Sequence, residues 1–353
     1  MHRARLLVAS IALAAALAWA VPSGRARLLA APTTAEALGA AVPRPFAEDV
    51  VVAESPVPDV EGRLYTPGPE HPAIVAVPGA TPAGLDDPRL ARVARAISRN
   101  GRQVFVPLLD LYQQRFTTDD IDRIARSVEA LHLQTGRPVV MVGFSYGGSF
   151  ALLAAADPRT RPGLAKVATF GAYFDLIGVL QAVTTGVSLV DGATVEWRGH
   201  PLARDILHAR AAGLLPPAQA DQLLDALAGK RSPEALDSAS RAMYDLLTNR
   251  DPTLTYQLAD RLPDEVKALI DRFSPSSVAD RIDVPVFAVH STDDPAVPYG
   301  ELLRLRAGLR RAETATVDIF RHVDFQASSV RQWWEVAPDL YVMWRFAAWI
   351  LEG

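Results

Sequence analysis

Cysteine is absent from the 353 residues. That excludes a thiol nucleophile, a disulfide framework, a thiolate metal site and an anchor built on a lipidated cysteine. An excess of charge of one sign is also missing. The 36 Lys and Arg residues stand against 40 Asp and Glu, for a net charge of −4, and no basic stripe interleaved with aromatics runs along the chain, so nucleic acid is set aside as a partner. No His-Glu-x-x-His pair, Gly-x-x-x-x-Gly-Lys loop or Gly-x-Gly-x-x-Gly fingerprint occurs, and neither a metal nor another cofactor is called for. Nor is there an internal repeat. At 49% hydrophobic and 22% charged the composition is that of a globular protein with ample material for a large core.

What the N-terminus does have is a pattern in three parts. His2, Arg3 and Arg5 precede an apolar run over residues 6–21, and Ala18-Trp19-Ala20 offers a small-x-small cleavage site, which together read as a secretory signal peptide. Residues 1–21 are then the exported protein's leader, Val21 starts the mature chain, and the compartment is periplasmic or extracellular. The alternative is an uncleaved membrane anchor over residues 6–21, because the run is only slightly short of the roughly 20 residues that span a bilayer. Arg25 and Arg27 balance Arg3 and Arg5, so charge asymmetry does not set an orientation. Residues 22–47, rich in Ala, Pro and Thr from position 30 onward, read as a spacer.

From residue 48 the pattern alternates between strand and helix. Short β-rich runs at 50–53 and 63–65 precede a buried-looking strand at 73–77, which ends at Pro78-Gly79-Ala80. Asp87 as cap and Pro88 at the first position open a helix that stops at Asn100-Gly101. A strand at 103–107, a helix at 119–133, a strand at 138–144, a helix and a strand at 165–170 follow. A βαβαβαβ series implies a mainly parallel sheet with helices on both faces. Between residues 174 and 283 the rhythm breaks into helical segments at 202–214, 218–227, 232–247 (Ser232 as cap) and 263–273, too long for a connection and therefore a substructure of its own. The βα rhythm then resumes with strands at 284–290 and 316–320, a helix between them, and a terminal helix at 333–351.

The segment Gly143-Phe144-Ser145-Tyr146-Gly147 lies where a strand meets a helix. At ordinary glycine and serine usage about one chain in ten this long would contain a G-x-S-x-G by chance, so the strand-before, helix-after context carries the reading. Such an elbow holds its serine on a strained turn, with small residues two before and two after to relieve crowding. Ser145 is thus a candidate nucleophile, and the N–H of Tyr146, at a helix N-terminus, a candidate donor to a developing oxyanion. A serine needs a base, and the base needs a third group to hold its tautomer. Of the seven histidines, His2, His71, His132, His200 and His208 lie in the leader, before a strand, on a helix or in the insertion. His290 is still inside its strand and reads as a packed strand-end residue. His322, after the last strand, lies where reactive groups of an open parallel sheet collect.

The order Ser145, an acid after the next-to-last strand, then His322 resembles the α/β-hydrolase superfamily, with its dienelactone-hydrolase-like bacterial esterase and lipase members. The run His290-Ser291-Thr292-Asp293-Asp294-Pro295-Ala296-Val297-Pro298 is similar to the superfamily's acid-bearing loop, with Ser291 where glycine is usual. The resemblance implies an α/β-hydrolase fold with a core over residues 48–173 and 284–353 and a helical cap over 174–283. It further implies a Ser145, His322, Asp294 triad, with the second oxyanion donor on Ala80 of the Pro78-Gly79-Ala80 turn. Asp293 and Asp175, the latter following an earlier strand, stay open as alternative acids. The activity implied is that of a serine hydrolase on a small-molecule ester or related acyl substrate. A peptidase, an acyltransferase and a cofactor-free haloperoxidase use the same groups, and a silent hydrolase fold used for binding is the alternative of another class.

Overall fold

A computed structural model of the chain describes residues 22–40, 48–113, 115–321, 324–325 and 333–352. Its first element corrects the expected spacer over residues 22–47: Pro22–Ala37 is a helix, α1. The buried side chains of α1 are Ala26, Ala30, Thr33 and Thr34, small groups with little hydrophobic contrast to mark a face, and Pro32 stands inside it. Neither the helical period nor the breaker rule therefore reveals it. The apolar run 6–21 lies outside the described residues. Among the described residues no helix is long and apolar enough to cross a membrane.

Strands β1 (Val51–Glu54), β2 (Gly62–Thr66) and β3 (Ala73–Val77) lead into α2 (Pro88–Ser98), whose first turn is capped by the Asp87 carboxylate accepting from the Arg89 N–H. Then come β4 (Gln103–Pro107), α3 (Thr118–Thr135), β5 (Val139–Phe144), α4 (Tyr146–Ala155) and β6 (Leu164–Phe170). The insertion carries α5 (Leu176–Thr185), β7 (Val187–Val190), β8 (Ala193–Glu196), α6 (Ala203–Ala212), α7 (Pro217–Leu227), α8 (Ser238–Thr248), α9 (Thr255–Ala259) and α10 (Asp264–Phe273). The core resumes with β9 (Val286–His290), α11 (Gly300–Gly308), β10 (Ala312–Thr316), the short pair β11 (Phe320–Arg321) and β12 (Asp324–Phe325), and α12 (Trp333–Leu351).

Eight strands form one sheet in the order β1-β2-β4-β3-β5-β6-β9-β10. From β4 to β10 all neighbours are parallel, and β2 runs against both of its partners. Period-2 alternation sends Val75, Val77 and Met141 to one face, under α3, α4 and α11, and Ile74, Ala76, Val140 and Val142 to the other, under α1, α2 and α12. Fully burying one such aliphatic side chain stabilises by roughly 1.5–3 kcal/mol, so two-sided burial explains why these strands read as unbroken apolar runs. The chain has the α/β-hydrolase fold, as its sequence leads one to expect. Helix α1 completes the second face: Asn100 Nδ2 donates to Thr33 Oγ1 at 2.6 Å and Trp344 Nε1 to Arg27 O at 2.9 Å.

Three expectations change in detail. The insertion contains a β-hairpin, β7–β8, as well as helices. Ser232 does not cap an α-helix; Pro233–Ala235 is a 3-10 turn, and α8 is capped by Asp237, whose carboxylate accepts from both Ala239 and Ser240 N–H at 3.0 Å. The last sheet strand is Ala312–Thr316 and not 316–320. It is a half-exposed edge strand of small and polar residues, so it lacks the apolar contrast that the neighbouring Val317 and Ile319 supply.

The two ends of the insertion meet. Tyr173 OH donates to Phe273 O at 2.8 Å, Leu176 N–H to Ser274 Oγ at 3.1 Å and Ser276 N–H to Phe174 O at 2.9 Å. Glu301, in the first turn of α11 and fully buried, accepts from the Phe174 and Asp175 N–H groups at 2.9 and 2.7 Å and so holds the point where the chain leaves the sheet. Burial, reinforced by the nearby Asp175 charge, pushes its carboxyl up to about 7 from an ordinary 4.5. The folded state therefore binds this proton more tightly than the unfolded chain, and stability falls as pH rises from about 4.5 through about 7. The loss is roughly 3 kcal/mol at 1.36 kcal/mol per pH unit. Glu301→Gln is expected to flatten that slope, which urea denaturation at about pH 5 and about pH 8 reads directly; a variant with the parental slope would assign the pH dependence elsewhere.

Candidate active site

Strand β5 is buried almost to its end at Phe144, and the chain then turns through Ser145 into α4. Ser145 has φ 54° and ψ −136°, a backbone conformation that costs a residue with a side chain about 1–3 kcal/mol and persists only where the surroundings force it. Its N–H donates to Phe170 O at 2.7 Å and its carbonyl accepts from Gly148 N–H at 2.9 Å, so the residue is pinned from both sides. Gly143 and Gly147 have no room for a side chain. A Cβ on Gly143 would strike the Gly148 Cα, and one on Gly147 the Val77 and Pro78 carbonyls. The small residues on either side of the serine are thus required by contact with β3 and α4.

The turn after β3 runs beside this serine, since a Cβ on Gly79 would lie 2.7 Å from the Ser145 Cβ. Ala80 follows, half-buried, and Thr81 ties the turn down: its N–H donates to Tyr112 O at 3.2 Å and its hydroxyl to the Asp87 cap at 2.7 Å. Neither the Ala80 nor the Tyr146 N–H has a protein acceptor among the described residues. The two expected oxyanion donors thus lie on the two segments that meet at Ser145, Ala80 on the turn after β3 and Tyr146 at the N-terminus of α4. The Tyr146 ring meets Phe116 and Tyr173 edge-on at 5.6 Å each. Burial, and after it the negative charge of Asp294, push its hydroxyl above the ordinary tyrosine value.

Asp294 lies in the loop between β9 and α11, 1% exposed. Its Oδ1 accepts from the Ala296 N–H at 2.8 Å and the Val297 N–H at 3.0 Å, fixing the carboxylate as a short turn. His290 sits beneath the loop, fully buried, with Nε2 3.1 Å from Val297 O and 3.5 Å from Asp294 Oδ2. Toward a carbonyl oxygen Nε2 can only donate, so this ring supports the loop from below. Asp293 is exposed. The Asp175 carboxylate is engaged elsewhere, capping α5 through the Ile177 N–H at 3.0 Å and accepting from Tyr256 OH at 2.6 Å. His322 lies outside the described residues.

Two contributors to this region escape a sequence reading. One is Trp197, just after β8, whose indole N–H donates to the Asp294 carbonyl at 2.7 Å. The hairpin that carries it was legible, because Asp191-Gly192 between alternating runs is a strong two-residue turn signal and both residues have positive φ. The other is Glu301, for which no sequence signal exists, since its burial depends on the packing of α11 against the β6 exit.

No family model and no curated protein matches this chain. Among solved structures, it is similar to a 2-hydroxy-6-oxo-6-phenylhexa-2,4-dienoate hydrolase from Rhodococcus sp. strain RHA1, at 18% identity over 84% of this chain and 99% of that one, TM-score 0.45. An acylaminoacyl peptidase from Pyrococcus horikoshii aligns at 12% identity over 86% of this chain and 41% of its own, TM-score 0.47. An α/β-hydrolase fold protein from Nakamurella multipartita aligns at 18% identity over 86% and 99%, TM-score 0.42. Identities this low concern the course of the chain and nothing of what it acts on.

Proposed function

We propose that this α/β-hydrolase-fold chain is an exported serine hydrolase that cleaves carboxylic esters through an acyl-enzyme. The observation that carries the reading is the Ser145 backbone, strained at φ 54° between two N–H groups able to hold an oxyanion. In this mechanism Ser145 Oγ attacks the ester carbonyl carbon as His322 takes its proton, and the Ala80 and Tyr146 N–H groups receive the charge that develops on the carbonyl oxygen. His322 then protonates the departing alkoxide, and the alcohol leaves. Water, deprotonated by the same imidazole, attacks the acyl-enzyme and releases the acid. Asp294 orients His322 and stabilises the imidazolium; its support by two backbone N–H groups and the engagement of Asp175 with α5 and Tyr256 favour it over the alternatives.

Export belongs to the same proposal and rests on the N-terminal pattern. Cleavage after Ala20 would retain all of the described helix α1, Pro22–Ala37. The insertion acts as a cap in this reading: Leu223, Met243 and Leu247 build a core of its own, and its two ends close beside the exit of β6.

Fluorophosphonate labelling tests the function, since covalent capture of the parental enzyme separates a hydrolase from a binding protein of the same fold. Turnover of p-nitrophenyl esters of increasing length then separates short-chain esterase from lipase behaviour. Replacing α7 with a short loop is expected to change chain-length preference more than kcat on the acetate ester. Identical preferences in a folded variant would put the insertion away from the site.

A further inference from the structure

The β7–β8 hairpin grips both ends of the acid loop. After β8, Trp197 Nε1 donates to the Asp294 carbonyl at 2.7 Å and His200 N–H to the Pro295 carbonyl at 2.8 Å. At the far end of the loop, a Cβ on Gly300 would strike Ser188 of β7, and Arg304 of α11 donates to Leu189 O at 2.8 Å. The tether is itself anchored, because Trp197 N–H closes onto Gly186 O at 2.8 Å and the indole packs on Gly199, where a Cβ would collide with the ring. From below, the loop is held by its own Asp294 turn and by His290. Its upper side is held by the insertion.

We infer that Trp197 is a positioning residue, which fixes the backbone of Asp294 and thereby couples the placement of the insertion to the orientation of the catalytic acid. The inference rests on the proposed triad. An orienting carboxylate has to be held within about 0.5 Å of its working position, and misplacement by about 1 Å can cost a hundredfold in rate. The Asp294 side chain accepts from the Ala296 and Val297 N–H groups, and the Trp197 bond holds the carbonyl that lies between the Asp294 Cα and those groups along the chain. Removing that donor releases this carbonyl, and because the Pro295 ring fixes its own φ, the freedom gained falls on ψ of Asp294 and so shifts its carboxylate relative to the rest of the loop. A cap that moves on its hinge would carry Trp197 with it, so that access and catalytic competence change together.

The test is Trp197→Phe, which keeps an aromatic ring and deletes the donor, measured alone and combined with Asp294→Asn. Alone it should lower kcat by about ten- to a hundredfold with KM changed less than about threefold. The acid limb of the kcat/KM profile should move down by a fraction of a pH unit as the imidazolium loses support. In the Asp294→Asn background the same change should cost less than about twofold, because the residue acts through the acid. Should Trp197→Phe lower the melting temperature by more than a few degrees, the isosteric benzothienylalanine at position 197, with sulfur in place of the N–H, gives the same readouts on an intact ring. Native kcat and an unshifted profile, or losses that multiply fully with Asp294→Asn, would overturn the tether. A fully active Asp294→Asn enzyme would instead remove the acid assignment and the coupling with it, while native Trp197→Phe beside a crippled Asp294→Asn removes the coupling alone.

Discussion

Ser145→Ala is expected to lose fluorophosphonate labelling and to turn over esters at a kcat lower by on the order of a thousandfold or more. The size follows from the role: the hydroxyl oxygen forms the bond, so its removal leaves the histidine with no proton to take, and only substrate binding and the two backbone donors still act. The variant should remain folded, since alanine keeps the Cβ that Gly79 and the elbow already accommodate. It should also keep the strain, because φ 54° is as unfavourable for alanine as for serine. Ser145→Gly, equally inactive, is therefore expected to be more stable than Ser145→Ala by about 1 kcal/mol, a difference that urea denaturation of the pair measures. Unchanged ester turnover by pure Ser145→Ala would sink the nucleophile assignment; equal stability of the two variants would show that the turn is not held under strain.

The sheet was legible because its strands are buried on both faces. Residues 73–77 and 103–107 are apolar almost throughout, and their boundaries agree with β3 and β4 to the residue. Where burial is one-sided or made of small groups, the same reasoning weakens. The edge strand β10 is Ala-Glu-Thr-Ala-Thr, and helix α1 buries alanine and threonine around an internal proline. Neither carries the contrast that periodicity needs. What holds α1 is tertiary: Asn100 on its side chain, Trp344 on its backbone, and two helices that it packs against.

The candidate site divides along the same line. The elbow is local, five residues whose glycines answer to contacts a few residues or one strand away, so sequence states it fully. The acid loop is half local. Asp294 and the N–H groups that it accepts from lie within three residues of one another, whereas Trp197 and His200 reach the loop from about a hundred positions earlier. Nothing in the chain's own order announces that pairing, and only the path of the insertion across the carboxyl edge of the sheet creates it.

Asp294→Asn is expected to keep the fold and to lose up to about ten-thousandfold in kcat, because an amide facing the imidazole can hold it in the wrong tautomer. The amide oxygen can still accept from the Ala296 and Val297 N–H groups, as Oδ1 of the carboxylate does, so the melting temperature should stay within a few degrees of the parent. Fluorophosphonate labelling should slow in step with kcat, since both require the serine to be activated. Asp293→Asn, at an exposed position, should retain most activity. Asp175→Asn should also stay active, for asparagine caps a helix about as well as aspartate. Its amide oxygen can still receive the Ile177 N–H, and its Nδ2 can donate to the Tyr256 oxygen where the carboxylate accepted from that hydroxyl. Any loss there should appear in thermal stability and in chain-length preference, as a loosened insertion, while kcat on a short ester is little changed. The two aspartates thus give opposite patterns, rate without stability at Asp294 and stability without rate at Asp175. If Asp175→Asn proves inactive and Asp294→Asn active, the acid comes from the earlier strand, and the carboxylate in the β9–α11 loop is a structural turn.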